Sequence, residues 1–133
     1  MFYKLDLATL KIAIGTIPAA SMSTASNIAI TGLGFKPRIV KFTSLPSTSS
    51  SYFQMSMGAM TASQQYYSAV GGQSNSPAIV GRAAGTDNVL AYIGSTTGTV
   101  ATSVKGISLD SDGFTIKCNN SGFAFDVAYE AWQ

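Results

Sequence analysis

The feature that most constrains this chain is a two-residue period in its final third. In Asp112-Gly113-Phe114-Thr115-Ile116-Lys117-Cys118, the residues Phe114, Ile116 and Cys118 fall on one side and Thr115 and Lys117 on the other, the alternation of a half-buried strand. After Asn119-Asn120-Ser121-Gly122 the period resumes in Phe123, Phe125, Val127, Tyr129 and Ala131, with Asp126 and Glu130 on the opposite face. Two strands joined by a turn are expected, a closing hairpin whose long aromatic last strand is the spine of a β-domain. Its outward row, Asp126, Ala128, Glu130 and Trp132, is sparing in charge and ends in an aromatic, so it is the expected place for a subunit contact.

The same reading runs backwards through the chain. Residues Phe2 to Ile17 admit a helical face (Tyr3, Leu7, Leu10, Ile14) as well as alternation. The β-branched residues in the second part favour an N-terminal arm over 1–10 and a strand near Lys11 to Ile17. Pro18 to Ser26 reads as a loop. Asn27 to Thr31 reads as a short strand ended by Gly32-Leu33-Gly34, since two glycines so close invite backbone conformations other residues avoid. Pro37 is tolerated at the first residue of a strand, here one through Phe42, and Leu45-Pro46 with the serines after it makes the next turn. Tyr52 to Met60 alternates again, with Phe53, Met55 and Met57 on one face and Tyr52, Gln54 and Ser56 on the other. Thr61 to Ser76 is polar and glycine-containing, and is expected to be a long loop, a class of segment that often carries function. Strands are expected over Ala78 to Ala83 and Asn88 to Ile93 around a Gly85-Thr86-Asp87 turn, then a turn over Gly94 to Thr99 and a strand over Val100 to Leu109. Short strands between Gly, Ser, Thr and Asn turns predict an all-β fold, an antiparallel β-sandwich of jelly-roll-like type, as a single domain over 11–133.

At 133 residues one domain with a real core is what the length allows. Charged residues make up only 11% of the chain, against roughly 25% in ordinary soluble domains. A surface so poor in charge is often partly hidden in a subunit interface, so a homo-oligomer is expected. The formal charge is +2 and the basic residues form no dense tract, which argues against nucleic-acid binding. Lys36-Pro37-Arg38 with Lys41 reads as a solvated strand edge. No apolar run reaches the roughly 18 residues of a membrane helix, and the start lacks a basic segment followed by an apolar one. A soluble, unexported chain without membrane insertion is expected.

Catalytic vocabulary is sparse. The chain has no histidine, which removes Ser-His-Asp and Cys-His systems, histidine metal sites and the commonest general base. Its single cysteine, Cys118, forms no intrachain disulfide or cysteine-based metal site, and its place beside Phe114 and Ile116 makes it a core residue. Paired carboxylates remain: Asp110 with Asp112, and Asp126 with Glu130, could in principle serve a two-carboxylate glycosidase. Asp110-Ser111-Asp112-Gly113 lies between expected strands, however, where Asp and Gly make the turn, and it lacks the remaining ligands of a calcium loop. Gly32-Leu33-Gly34 lacks the third glycine and the helix of a phosphate loop. Ser74 lacks the trailing glycine of a nucleophile elbow, and the sequon Asn119-Asn120-Ser121 reads as a turn. No catalytic residue, metal or cofactor is assigned. What remains is a binding vocabulary: Gln64, Gln65, Tyr66 and Tyr67 in the expected loop and Tyr92 at a strand end, aromatic faces and amides of the kind that suit sugars and protein surfaces.

Two stretches carry a family likeness. Gly32-Leu33-Gly34-Phe35-Lys36-Pro37-Arg38-Ile39-Val40-Lys41-Phe42 resembles the "G-x-G-F-x-P-x-x-V-x-F" segment of small β-sandwich domains in tailed-phage virion proteins. Asp112-Gly113-Phe114-Thr115-Ile116 and Tyr129-Glu130-Ala131 resemble the late "D-G-F-T-I" and terminal "Y-x-A" segments of the same group. The likeness covers roughly residues 28–42 and 106–132. It implies a non-enzymatic structural or host-attachment module of a tail, tail fibre or head fibre, commonly trimeric, located in the virion with other virion proteins as partners. The chain is also similar in outline to phage-encoded lectin-like sandwiches, which implies a host-surface glycan as a ligand. The matched residues are hydrophobic or turn-forming and carry over no binding residue.

Overall fold

The computed structural model describes residues 9–22, 26–45, 52–73, 79–94, 98–119 and 125–133. Two antiparallel sheets pack against each other as an all-β sandwich. The strands are β1 (Ile12–Ile17), β2 (Asn27–Thr31), β3 (Ile39–Ser44), β4 (Tyr52–Thr61), β5 (Gln65–Gln73), β6 (Ile79–Gly85), β7 (Leu90–Ile93), β8 (Val100–Asp110), β9 (Gly113–Asn119) and β10 (Val127–Trp132). A six-stranded sheet runs β1-β10-β3-β4-β5-β6, and a four-stranded sheet runs β2-β9-β8-β7. The chain crosses between sheets after β1, β2, β6 and β9.

One half of the sandwich is held by large apolar side chains. Phe114 on β9 stands between two rings of the other sheet, edge-to-face with Phe42 at 5.6 Å and with Tyr129 at 5.0 Å, separations at which ring pairs attract beyond their buried area. Ile17, Val40, Ile116, Cys118 and Val127 fill the space around them. The expected loop over Pro18 to Ser26 contains a 3-10 turn, Ala19–Met22, that drops Met22 into this core with no exposure.

Strands β2 and β9 are tied at one end by Asp112. Its carboxylate accepts hydrogen bonds from the Gly32 N–H (2.9 Å) and the Gly34 N–H (2.6 Å), and its carbonyl accepts from the Leu33 N–H (3.1 Å). Gly32 and Gly34 have φ of 85° and 74°, the left-handed region where a side chain is disfavoured. These two glycines let three successive N–H groups turn toward Asp112, two onto its carboxylate and one onto its carbonyl.

The other half is built differently. Among the described residues strand β7 lies at the edge of its sheet, paired with β8 alone, and its outward backbone groups are buried under β4. Side chains of β4 satisfy them. The Ala91 N–H donates to Ser56 Oγ (3.0 Å), the Ala91 carbonyl accepts from Gln54 Nε2 (3.1 Å), and the Ile93 N–H donates to Gln54 Oε1 (3.2 Å). Ser56 is itself fixed, its N–H donating to Ser44 Oγ at 2.8 Å. The approach is close: a Cβ on Gly58 would lie 2.1 Å from the Val89 carbonyl oxygen, so only glycine fits there. The polar residues of β4 therefore face the interior, and Phe53, Met55 and Met57 face solvent.

Two expectations are corrected. The closing hairpin does not form: β9 pairs with β8 and β2, whereas β10 crosses to the other sheet and lies between β1 and β3. Residues on β9 and β10 face the same core from opposite sheets, so their alternation is the same whether they pair or cross. The expected long loop over Thr61 to Ser76 is a hairpin whose second strand, β5, spans Gln65–Gln73. Its inward positions (Gln65, Tyr67, Ala69, Gly71, Gln73) are small or polar, so no hydrophobic period marks it. The turn after Leu45, most of the arm over 1–10, Ser74 to Ser76, and the segment from Asn120 to Gly122 with Phe123 lie outside the described residues.

Replacing Gln54 with Leu leaves the Ala91 carbonyl and the Ile93 N–H buried and unpaired. At roughly 1–3 kcal/mol for each of the two groups, Gln54→Leu is expected to lower unfolding free energy by about 2–6 kcal/mol, read as a fall in the urea midpoint at unchanged m-value. A midpoint equal to that of the wild type would show that β7 does not depend on β4 for its edge.

Candidate functional site

At one end of the sandwich the β4–β5 turn faces a bend in β8, and the space between them forms a concavity. Thr61 pins the turn. Its N–H donates to the Gln64 carbonyl (2.7 Å), and its hydroxyl donates to the same carbonyl (3.3 Å) and accepts from the N–H groups of Ser63 (3.4 Å) and Gln64 (3.1 Å). Gln65 then reaches across to the other sheet, where its Oε1 accepts from the Gly106 N–H at 2.8 Å. On β8 the pairing with β9 skips from Gly106 to Ser108. Ile107 is thus the extra residue of a bulge, a device that bends a strand and redirects its side chains, and it is exposed.

The cleft so formed, about 220 Å³, is lined by residues 60–65, Thr86 and residues 106–109. A wider, shallower concavity of about 460 Å³ shares Ser63, Gln64, Gln65 and Thr86 and adds the ring of Tyr66. Every lining residue is uncharged. Hydroxyls, amides and backbone groups beside an aromatic face suit a neutral, hydroxyl-rich ligand; they offer no charged group to an anion or a metal.

The structure brings together three of the five proposed ligand-binding residues: Gln64, Gln65 and Tyr66. It separates the other two. Tyr67 follows Tyr66 on a strand and so points to the opposite face, where it packs against the small cluster of Ala69, Ala91 and Ile93. Tyr92 is on the other sheet, its ring 5.4 Å from that of Phe125. No residue pattern marked Thr86 or residues 106–109 as part of a site, and the bend at 106–108 is a matter of register between two strands.

Of the proposed interface residues, Ala128, Glu130 and Trp132 do share the outer face of the six-stranded sheet. Lys41 Nζ stands 5.4 Å from the centre of the Trp132 ring, and Trp132 Nε1 is buried without a hydrogen-bond partner. Asp126 precedes β10, and its carboxylate accepts from the Ala19 N–H at 2.7 Å. Three of the four carboxylates weighed for a two-carboxylate site are engaged in the fold. Asp110 accepts from Ser108 Oγ (2.8 Å) and Thr115 Oγ1 (2.7 Å), Asp112 holds the glycine turn, Asp126 holds the 3-10 turn, and Glu130 stands on the outside of the other sheet. Among the described residues no group of three or more His, Cys, Asp or Glu could hold a metal ion, and no helix is long and apolar enough to cross a membrane.

Burial raises the Tyr67 phenol above its ordinary value of 10.0, and the negative charge of Asp87 raises it further. The folded state therefore holds this proton more tightly than the unfolded chain does. Its contribution to stability is complete below pH 10 and is lost as pH rises through the folded value. The melting temperature of the wild type is expected to fall above pH 10, and that of Tyr67→Phe to fall less steeply. Equal slopes in a pH series of melts would place the alkaline loss at another group.

No protein-family model, curated protein or solved structure matches the chain.

Proposed function

We propose that this chain is a non-enzymatic structural module of a phage or prophage virion, a host-attachment or decoration domain that works as a homo-oligomer, a trimer by the family likeness. The observation that carries the reading is the Asp112 clasp. The two stretches that resemble virion sandwiches, separated by some seventy residues of unlike sequence, meet in three hydrogen bonds between residues 32–34 and Asp112. The likeness thus rests on residues that act together to set the geometry of one end of the fold. Low charge and an apolar outer sheet face support the oligomer. Immunogold labelling of particles induced from bacteria that carry the gene tests the reading: label on virions is expected, and unlabelled virions from cultures that contain the protein would overturn it.

A second reading, a carbohydrate-binding lectin-like module, is favoured by the uncharged cleft with Tyr66 at its side. On a glycan array, Tyr66→Ala is expected to weaken any retained glycan about tenfold, the equivalent of about 1.4 kcal/mol, with the circular dichroism spectrum unchanged. Tyr67→Ala, on the opposite face, is expected to lower the melting temperature and leave affinity intact. Binding indifferent to the loss of Tyr66 would remove the cleft from consideration.

A further inference from the structure

The outer face of the six-stranded sheet is the least expected surface of the molecule. Ile14 (75% exposed), Val80 (67%), Met55 (54%), Met57, Phe53 and Val70 all stand on it in solvent. Phe53, Met55, Met57, Val70 and Val80 are neighbours across β4, β5 and β6, and Ile14 stands apart on the edge strand β1, beyond Glu130 and Lys41. Isolated exposed apolar residues are ordinary, but a cluster over three adjacent strands is not, and it marks a surface that is covered in the working state.

We infer that this face is where copies of the chain meet. The inference rests on the homo-oligomer reading above and names its contact surface. Charge favours a second copy as the occupant: the face carries both signs, Glu130 beside Lys41 on adjacent strands and Arg82 on the far edge strand. Copies can therefore meet on this face with the Glu130 side of one apposed to the Arg82 side of the next, without a single-sign field to repel them. Area agrees. Six strands about 4.8 Å apart and about seven residues long at about 3.3 Å each make a face of roughly 650 Å². That is close to the roughly 800 Å² per partner in stable specific complexes. Trp132, whose Nε1 lacks a partner and whose ring lies under Lys41, is at one end of the same surface.

Light scattering coupled to size exclusion tests the inference. The wild type is expected at two or three times 13.8 kDa. Met55→Lys and Val80→Lys, both at exposed positions, are expected to keep the wild-type circular dichroism spectrum and to run at the monomer mass. A wild type that stays at monomer mass at micromolar concentration overturns the oligomer reading and this inference with it. An oligomeric wild type whose mass is unchanged in both lysine variants overturns only the inference and leaves the oligomer in place. Peroxide footprinting gives a readout that needs no variant: Met55 and Met57 are expected to oxidise several-fold more slowly in the assembled protein than in dilute monomer, with buried Met22 and Met60 slow in both. Equal rates for Met55 and Met57 in the two states would overturn the inference.

Discussion

The hydrogen bonds between the side chains of β4 and the open edge of β7 are the constraint from which much of this architecture follows. A buried strand edge leaves N–H and C=O groups with neither a neighbouring strand nor water. Here three such groups are met by two side chains, Gln54 and Ser56. Left unpaired at roughly 1–3 kcal/mol each, they would remove a large part of the roughly 5–15 kcal/mol by which a domain of this kind is stable. The requirement fixes the orientation of β4. Because side chains alternate, polar residues at 54 and 56 inside put 53, 55 and 57 outside, and those residues are Phe, Met and Met. The exposed apolar face is thus the other side of a buried polar lock.

The lock also explains why the sandwich has two unlike halves. Where β10, β3, β9 and β8 face one another, Phe42, Phe114 and Tyr129 set the spacing with rings. Where β4 and β5 face β7, side-chain amides and hydroxyls must reach backbone atoms, so the sheets approach closely and the residues between them shrink to Ala69, Ala91, Gly58 and Gly71. A Cβ on Gly71 would meet Gln54 Oε1 at 2.1 Å. Rings and glycines are alternative solutions to the same inter-sheet gap. The polar one specifies register more tightly, since a slip of one residue would turn Gln54 and Ser56 out and the methionines in.

This division also separates what the sequence made legible from what it hid. Strands of the ring-packed half, such as Asn27–Thr31 and Gly113–Asn119, stand out by alternation, and Gly32, Gly34 and Asp112 by turn chemistry. In the polar half, β5 reads as a loop because its inward residues are Gln, Tyr, Ala, Gly and Gln, and hydrophobic periodicity is silent when the buried positions are polar or small. The β4 alternation is visible, but which side faces in depends on a partner strand thirty-five residues away. The crossing of β10 is hidden for a related reason: a residue's burial does not say which sheet buries it. Of the cleft, Gln64 to Tyr66 were legible as residue types, whereas their separation from Tyr67 needed the strand and the opposing wall needed the bulge at Ile107.

The cleft and the apolar face are not independent surfaces, because Tyr66 belongs to both. On the outside of the six-stranded sheet, Ile14, Glu130, Lys41, Ala59 and Tyr66 stand in one cross-strand row, and the same Tyr66 ring lines the wider concavity beside Thr86. If copies meet through this face, Tyr66 lies at its margin, with one part of the ring toward the neighbouring copy and the other toward any bound ligand. Linkage then requires reciprocity: a ligand that binds better to the assembled ring position strengthens assembly by the factor by which assembly strengthens its binding. On that condition the attachment and lectin-like proposals would describe one coupled surface, with self-association setting the wall against which a neutral ligand packs.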